Sequence, residues 1–316
     1  MLPEFKPCAF LFPGQGSQAL GMGQELASVY PIARQTFLEA DEILGFPLSR
    51  LAWEGPESEL NDTVNTQPAL LVHSVAVLRV LEETNPGLQP TFAAGHSMGE
   101  LSALVAVRAL DFPEALKLVR TRGVLMKQAG EISPGGMAAI LGLDIPTVES
   151  ICADASREGE IVQVANDNCP GQVVISGSSP AMERALQLAR EAGARKAVPL
   201  AVSIAAHSPL MAHAQEGFNQ AVASSQLTDP AIPLVGNVTA GPLTTADMLR
   251  ADLQAQLNSR VRWTESIRYM IDQGVTAFLE LGSDSVLTGL LKRIDRQARG
   301  IALGAPADFE KVPSQG

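Results

Sequence analysis

A serine enclosed by two glycines is the residue best placed for chemistry in this chain. In FAAGHSMGELSALVAV (92–107), Ser97 stands between Gly95 and Gly99, after a short apolar strand pattern and before an apolar helical pattern. A nucleophile elbow has this order, because the tight turn exposes the serine and the helix start directs free N–H groups at a developing oxyanion. The Gly-x-Ser-x-Gly spacing also occurs by chance, which leaves an ordinary glycine-rich connection open. The flanking strand and helix favour a nucleophile.

A nucleophilic serine needs a base, and one of the four histidines stands apart from the others. His207 follows the apolar run LAVSIAA and precedes a Ser-Pro pair, which is typical of a helix N-cap and first-turn proline. It therefore lies where the chain passes from a strand-like to a helical pattern, as Ser97 does, and we predict it to be the general base. We predict that His73 is a core or groove residue, that His96 has a packing or hydrogen-bonding role, and that His213 is exposed on a helix.

An arginine in an apolar stripe is the third residue of interest. The Asp-Phe-Pro-Glu run at 111–114 predicts a helix start, and the near-face neighbours of Arg122 on that helix are all apolar. A guanidinium in such surroundings needs an anionic partner, because leaving it unpaired costs several kcal/mol. Periodicity alone supports two partners equally, an internal carboxylate in a salt bridge and a substrate carboxylate in a bidentate clamp.

A glycine-rich loop after the first apolar run supports a different class of enzyme. The residues GQGSQA (14–19) fit a loose dinucleotide-binding fingerprint, with Glu39 or Asp41 at about the expected distance for a ribose contact. A nicotinamide-dependent oxidoreductase is therefore the alternative, although Pro13 and the glutamine side chains of the loop would crowd a pyrophosphate. The loop has a second interpretation, in which Gln15 brings its backbone N–H to the oxyanion near Ser97.

The order of the predicted elements indicates an α/β fold with an inserted unit. Strands at 8–12 and 91–95 alternate with helices at 66–84 and from Gly99 and Asp111, which implies a parallel sheet. From residue 134 the order becomes β-α-β-β-α-β, that of a ferredoxin-like module. Its predicted elements lie at 135–143, 145–156, 161–167, 172–177, 180–193 and 195–202. The later elements are a strand at 277–282 and a helix at 285–298. We therefore predict a hydrolase-like parallel-sheet large subdomain (1–133 and 203–316) and a ferredoxin-like small subdomain (134–202).

Composition narrows the function classes. The formal net charge of −11 argues against a general nucleic-acid binder. Three widely spaced cysteines show no metal-ligand spacing and are typical of reduced thiols in a cytoplasmic protein. The N-terminal apolar run is too short for a signal peptide, and we expect no segment with the ~20 apolar residues that span a bilayer.

Together, the motifs resemble a known family. FPGQGSQ (12–18), TQPALL (66–71), GHSMGE (95–100), the Arg122 helix, AAHSPLM (205–211) and VRWTESI (261–267) are similar in order and spacing to the acyltransferase family of type II fatty acid synthesis, the malonyl-CoA:acyl carrier protein transacylases. The resemblance covers nearly the whole chain. It implies a hydrolase-like fold with a ferredoxin-like insert and a ping-pong transfer through a malonyl-serine. The substrates would be malonyl-CoA and the phosphopantetheine thiol of acyl carrier protein, with no cofactor, no metal, no membrane contact and a monomeric enzyme.

The resemblance also implies a role for individual residues. Ser97 would be the nucleophile, His207 the base, and Arg122 the partner of the malonyl carboxylate, with the backbone N–H groups of Gln15 and Met98 as the oxyanion hole. Gln256 is the position that matches the group orienting the histidine. The loop around Asp284 departs from the family pattern (as does SRV at 259–261), so Asp284 is a second candidate for that orienting role.

The remaining implications concern substrates and partners. The small Ala206 is compatible with malonyl and does not by itself exclude an α-methyl group. Because the family's carrier protein is acidic, docking would use local cations, and the candidates are Arg195, Lys196, Lys292 and Arg293. A trans-acting loader for a polyketide synthase carrier protein fits the same motifs. An inactive carrier-binding module is not indicated, because the serine, histidine and arginine are all present.

Overall fold

The computed structural model describes residues 7–202 and 204–312. The strands are β1 Cys8–Phe12, β2 Phe92–Gly95, β3 Gly135–Leu141, β4 Val162–Cys169, β5 Gln172–Ser178, β6 Lys196–Pro199, β7 Leu234–Val235, β8 Pro242–Leu243, β9 Ala277–Leu281 and β10 Arg299–Leu303. The helices are α1 Gln24–Val29, α2 Pro31–Leu44, α3 Leu48–Glu54, α4 Glu57–Leu60, α5 Thr63–Thr84, α6 Gly99–Ala106, α7 Phe112–Ile132, α8 Ile145–Ala155, α9 Ser179–Glu191, α10 Ala212–Ser224, α11 Ala246–Gln256, α12 Trp263–Asp272 and α13 Val286–Ile294. Short 3-10 helices occupy Pro209–Met211 and Pro306–Lys311.

The larger sheet has six strands in the order β10-β9-β1-β2-β7-β8. All neighbouring pairs are parallel except β7 and β8, which pair antiparallel. Strands β1 and β9 are buried at every position, as expected for parallel strands covered by helices on both faces. The carboxyl ends of β1 and β2 therefore lie side by side at one edge of the sheet, where α/β proteins place their ligands.

The central helix of this layer is α5, whose 22 residues are mostly buried. By length and composition α5 could cross a membrane, so the expectation that no segment reaches that length is wrong. However, 83% of its most apolar window is buried inside the protein. A core helix passes the same test of length and hydropathy, and the burial identifies α5 as one.

The inserted unit forms a second sheet with the order β4-β5-β3-β6, in which all pairs are antiparallel. Helices α8 and α9 pack on it around a separate apolar cluster. This is the predicted β-α-β-β-α-β module, and the predicted fold class is confirmed. The subdomain boundaries at 134 and 202 stay predictions, and residues 1–6, 203 and 313–316 of the predicted large subdomain lie outside the described residues.

Two backbone hydrogen bonds join the inserted sheet to the larger unit. Asp167 N donates to Val261 O at 2.9 Å, and Val261 N donates to Ala165 O at 2.8 Å. They connect β4 to the segment just before α12. The inserted unit is thereby anchored to that segment of the larger unit.

Several predicted bounds are wrong. Strand β6 ends at Pro199 rather than 202, and β4 includes Asn168 and Cys169, which were expected in a turn. The helix expected to reach 298 ends at Ile294 and is followed by β10. A Cβ on Gly300 would lie about 3.0 Å from the side chain of Thr288, so the glycine lets β10 pack closely against α13.

Candidate active site

Ser97 lies on a left-handed turn between β2 and α6, with φ of 52°. The turn depends on its glycines. A Cβ on Gly95 would lie 2.0 Å from the backbone of Gly99, and a Cβ on Gly99 would lie 2.3 Å from Phe12 O at the end of β1. Because no larger residue fits at either position, the two glycines let the elbow close against the neighbouring strand. The strained serine is thus held at the edge of the sheet, as predicted.

His207 lies within hydrogen-bond distance of Ser97, with His207 Nε2 at 2.8 Å from Ser97 Oγ. The other ring nitrogen, Nδ1, lies 2.9 Å from Gln256 O and 3.1 Å from Ser259 O. Carbonyl oxygens only accept hydrogen bonds, so Nδ1 carries the proton and Nε2 offers its lone pair to the serine hydroxyl. This is the tautomer that a general base requires.

The base is buried and uncharged. Burial, and next the nearby Arg122 cation, lower the pKa of His207 to about 3. His207 also has a left-handed backbone, with φ of 59°. It sits in a loop rather than directly after a strand, because β6 ends well before it. Gln163 of β4 holds this loop by donating from Nε2 to His207 O at 2.8 Å.

The other histidines occupy the predicted kinds of position. His73 is buried, and its Nε2 lies 3.1 Å from Gly304 O. His96 packs edge-on against Trp263, and its Nε2 lies 2.9 Å from Asn168 Oδ1. His213 is exposed on α10.

Arg122 is 1% exposed and lies beside the nucleophile. Its Nη2 donates to Ser97 Oγ at 3.1 Å and to Gln256 Oε1 at 2.8 Å, and its Nη1 donates to Gln67 Oε1 at 2.8 Å. Within the described residues it forms no salt bridge, so the internal ion pair considered from the sequence is absent there. Burial lowers the pKa of Arg122 to about 10, and the guanidinium stays charged at neutral pH. A buried cation without an ion-pair partner is suited to bind an anionic group.

Gln15 and Met98 line the same cavity as Ser97. The N–H groups of both residues donate to no backbone acceptor in the described part of the chain. The Gln15 side chain is fixed by Thr63, whose Oγ1 donates to Gln15 Oε1 at 2.8 Å. Two unengaged backbone donors near the serine suit the predicted oxyanion hole, which stays a prediction.

Gln256, at the end of α11, contacts the site in two distinct ways. Its backbone oxygen accepts from the histidine, as described above. Its side chain accepts from Arg122 and donates from Nε2 to Ser97 O at 3.2 Å. Asp284, the other candidate for orienting the histidine, is exposed and lines a different cavity around Gly304. The contacts therefore favour Gln256, through its main chain, over Asp284.

Three residues of this site were missed or misinterpreted from the sequence. Glu100 has the position of an acidic residue in the first turn of a helix, yet it is 1% exposed and accepts from Asn237 Nδ2 at 2.8 Å. Asn237 also accepts from Ser97 N at 2.8 Å. Gln67 lies on α5 within a motif that the resemblance includes, but no local pattern marks its contact with Arg122. The glutamate and the asparagine are 137 positions apart, so periodicity could not pair them.

The glycine loop does not form a dinucleotide site. The helix after it, α1, begins only at Gln24, so the loop does not open onto a helix N-terminus. A Cβ on Gly14 would lie 2.5 Å from His96 O, which shows that this glycine lets the loop pack against the serine turn. Glu39 forms a salt bridge with Arg79, and Asp41 accepts from Ser49. The contacts favour the other interpretation of the loop, in which Gln15 brings its backbone N–H to the oxyanion near Ser97.

The four predicted docking cations lie away from the Ser97 cavity. All are exposed, and none lines that cavity: Arg195, Lys196, Lys292 and Arg293. Lys292 lines the separate cavity around Gly304. Arg293 donates to Gln172 Oε1 and to Pro170 O, so it joins α13 to the inserted sheet.

The cavity at Ser97 has a volume of about 200 Å³ and is lined by both polar and apolar residues. Its apolar wall comprises Met126, Met137, Leu200, Val202, Ile204 and Ala206. A wider cleft of about 490 Å³ shares Gln15, Thr63, Val202 and Ile204 with it. No group of three or more His, Cys, Asp or Glu side chains in the described ranges could hold a metal ion.

Comparisons with known proteins show the family to which the chain belongs. The family model described as acyl transferase domain matches residues 9–305. The malonyl CoA-acyl carrier protein transacylase of Bacillus subtilis is 46% identical over 302 residues, 96% of this chain and 95% of the relative. The crystal structure of an acyl carrier protein S-malonyltransferase from Vibrio cholerae has a TM-score of 0.93 and 45% identity, covering 98% of this chain and 100% of that one.

A further solved structure contains a carrier protein. It is a complex of a type II polyketide synthase acyl-carrier protein with its malonyl-transacylase, with a TM-score of 0.93, 43% identity and coverage of 97% of this chain and 98% of that one. Family, relatives and solved structures agree over nearly the full length. The chain belongs to the acyl transferase family, in the group of malonyl CoA-acyl carrier protein transacylases.

Proposed function

We propose that this protein transfers the malonyl group from malonyl-CoA to the phosphopantetheine thiol of an acyl carrier protein, through a malonyl ester on Ser97. The observation that carries the proposal is the convergence on Ser97 Oγ of His207 Nε2 at 2.8 Å and Arg122 Nη2 at 3.1 Å. A base and a cation at one hydroxyl suit an acyl group that ends in a carboxylate.

In the first half-reaction, Ser97 Oγ attacks the thioester carbonyl carbon while its proton passes to His207 Nε2. The negative charge on the carbonyl oxygen is stabilised by the N–H groups of Gln15 and Met98. The carbon–sulfur bond then breaks, and the coenzyme A sulfur takes the proton from the histidine. A malonyl ester remains on the serine.

In the second half-reaction, the carrier thiol gives its proton to His207 and attacks the ester carbonyl. The serine oxygen leaves and takes the proton back, so the enzyme returns to its starting state. The wider cleft that shares Gln15 and Thr63 with the cavity is the approach we assign to the phosphopantetheine arm. Every group in this sequence of steps is a side chain or backbone amide, so the proposal includes no cofactor and no metal.

Selectivity in this mechanism comes from Arg122. A malonyl carboxylate would pair with its buried guanidinium, whereas an acetyl group would leave that charge unpaired. The apolar wall around Ala206 would contact the methylene carbon. We therefore infer a preference for malonyl over acetyl thioesters.

The proposal also covers the protein partner, the cellular location and the oligomeric state. The carrier protein is a transient partner, and its acidic surface would meet the exposed cations Arg195 and Lys196 or Lys292 and Arg293. All three cysteines are buried, and Cys152 and Cys169 are free thiols, which supports a cytoplasmic location. The monomeric state stays a prediction.

A second candidate function is malonyl loading of a polyketide synthase carrier protein. The observation in its favour is the similarity to the transacylase solved with a type II polyketide synthase carrier. The chemistry at Ser97 would be the same, and only the carrier would differ. Comparing KM values for holo carrier proteins of the two types would separate the two functions.

Intact-protein mass spectrometry after mixing with malonyl-CoA or acetyl-CoA tests the proposal. We expect a malonyl adduct on the wild-type protein and none on Ser97→Ala. Ser102→Ala is the matched control, because Ser102 is a buried serine on α6 whose Oγ has no hydrogen-bond partner in the described residues. Equal labelling of Ser97→Ala, or no adduct on the wild-type protein, would show the proposal to be wrong.

A further inference from the structure

A buried glutamate connects the groups that hold the nucleophile and the arginine. Glu100 Oε2 accepts from Asn237 Nδ2 at 2.8 Å and also from Gln256 Nε2. The asparagine fixes the serine turn, since its Oδ1 accepts from Ser97 N and its Nδ2 donates to Gly95 O, both at 2.8 Å. One carboxyl oxygen thus orients two amides that touch the reacting residues.

The same glutamine side chain links Glu100 to the arginine. Gln256 Nε2 donates to Ser97 O at 3.2 Å, and Gln256 Oε1 accepts from Arg122 Nη2 at 2.8 Å. An amide has one donor end and one acceptor end, so the acceptor on Glu100 decides which end faces Arg122. If Gln256 turned over, its NH₂ group would oppose the guanidinium.

The second oxygen of Glu100 has a different environment. No N–H or O–H group of the described residues donates to Glu100 Oε1, which is inaccessible to solvent. The group that faces this carboxyl is the carboxyl of Asp252 on α11, itself 2% exposed. Two buried carboxylates in contact cannot both be ionised, because like charges in a low-dielectric site repel strongly.

The hydrogen bonds of Asp252 distinguish the two carboxyl groups. Its Oδ2 accepts from Val238 N at 3.2 Å and its Oδ1 accepts from Thr239 N at 3.0 Å, which favours the charged form. Burial, and next the charge of Asp252, raise the pKa of Glu100 well above its usual range. These contacts favour a proton on Glu100 rather than on Asp252.

We propose that Glu100 is a positioning residue held as a neutral carboxylic acid, which donates to Asp252 through Oε1 and orients Asn237 and Gln256 through Oε2. Its effect on acyl transfer rests on the proposed function, whereas its protonation state does not. The charged groups that act on Glu100 from the packed helices are Asp252 on α11 and Arg122 on α7. With Glu100 neutral, the arginine keeps its full charge for the substrate carboxylate.

The first test is the pH dependence of unfolding for wild type and Glu100→Gln, whose amide mimics the protonated acid in shape and can donate to Asp252. A carboxyl whose pKa is raised by folding contributes stability that is complete below about pH 4.5 and is lost as the pH rises through the folded value. Glutamine does not titrate, so we expect the melting temperature of Glu100→Gln relative to wild type to rise as the pH increases above about 5. Glu83→Gln, at an exposed position of α5, is the charge-matched control and should show no such trend.

Two results of the unfolding measurement would overturn the proposal. If the relative stability of Glu100→Gln falls as the pH rises, Glu100 is ionised in the folded protein and the proposal is overturned. A variant that does not fold at all overturns it too, because a neutral isostere should be tolerated. Neither outcome depends on whether the protein transfers malonyl groups, so this test can fail independently of the proposed function.

The second test is malonyl loading at neutral pH for Glu100→Gln and Glu100→Ala. We expect Glu100→Gln to load within about tenfold of wild type, because it keeps the acceptor for both amides. Glu100→Ala should load roughly 100-fold more slowly, since displaced positioning groups cost about that much. Equal losses in the two variants would mean that the negative charge is needed, and would overturn the proposal.

Discussion

The Nη2 atom of Arg122 lies 3.1 Å from the Oγ atom of Ser97, so the cation contacts the nucleophile before any substrate is present. The same cation lowers the pKa of His207, after burial, which has the larger effect. A substrate carboxylate that pairs with Arg122 would partly neutralise this charge. The approach of a malonyl group would thus raise the basicity of His207 at the moment when it must accept the proton.

Replacing Arg122 with alanine is therefore expected to reduce malonyl loading selectively. The substrate carboxylate would lose its charged partner, and hydrogen bonds to charged groups contribute about 1.5–3 kcal/mol, so malonyl loading should fall by roughly 100-fold. Acetyl loading should change far less. The measurement is kcat/KM for both thioesters, and Lys117→Ala, on the exposed face of the same helix, is the control. Equal losses for malonyl and acetyl would contradict the assignment of Arg122 as the carboxylate partner.

The two contacts of Gln256 predict an unusual result for Gln256→Ala. The histidine is held by the backbone oxygen of this residue and by Ser259 O, and both remain in the variant. The side chain that orients Arg122 is lost. We expect KM for malonyl-CoA to rise about tenfold, with acetyl loading nearly unchanged. If both acyl groups were loaded 100-fold more slowly, the side chain would be acting through His207 instead.

The residues that could be predicted from the sequence are those with a local pattern. Ser97 follows a strand and precedes a helix, His207 precedes a capping serine, and Arg122 interrupts an apolar stripe. Each pattern arises within one helical turn or one strand end. The structure brings the three side chains together, and their catalytic roles remain proposals.

The supporting residues could not be predicted, because their contacts join distant parts of the chain. Asn237 and Asp252 meet Glu100 from segments more than 130 positions away, and nothing near them marks a buried position. Strands β7 and β8 have two residues each, too few for a period-2 pattern. Strand β10 was not predicted, because its pairing with β9 is a long-range contact and the helix expected to reach 298 extends to the residue before it.

Charge reversal at the predicted docking cations should weaken carrier recognition without affecting the first half-reaction. For Arg195→Glu with Lys196→Glu we expect KM for the carrier protein to rise by roughly three- to tenfold, since exposed charge pairs contribute about 0.2–1 kcal/mol each. Malonyl loading from malonyl-CoA should be unchanged. Arg34→Glu, at an exposed position of α2, is the control.

The other two predicted docking cations, Lys292 and Arg293 on α13, need a different variant. Arg293 contacts Gln172 and Pro170 within the protein, so only Lys292→Glu tests docking there without disturbing the inserted sheet. A carrier KM that stays unchanged in both sets of variants would place the docking surface elsewhere on the protein.

Acid should destabilise the protein through its buried histidines. Burial lowers the pKa of His73 from 6.5 to about 4, although its hydrogen bond with Gly304 opposes the shift. Because the pKa of His73 is lower in the folded protein than in the unfolded chain, the unfolded chain binds the proton first as the pH falls. The stability that neutral His73 contributes to the folded protein is complete above about pH 6.5 and is lost progressively as the pH falls to about 4.

From pH 7 to pH 5 this one group should cost the folded protein about 2 kcal/mol. His73→Gln cannot take up the proton and should lose correspondingly less stability over the same interval, whatever its stability at pH 7. Urea unfolding at the two pH values measures the difference, with His213→Gln, at an exposed position, as the control. If His73→Gln and wild type lost equal stability on acidification, His73 would already be protonated in the fold, and its hydrogen bond to Gly304 O would have to outweigh the cost of burying the charge.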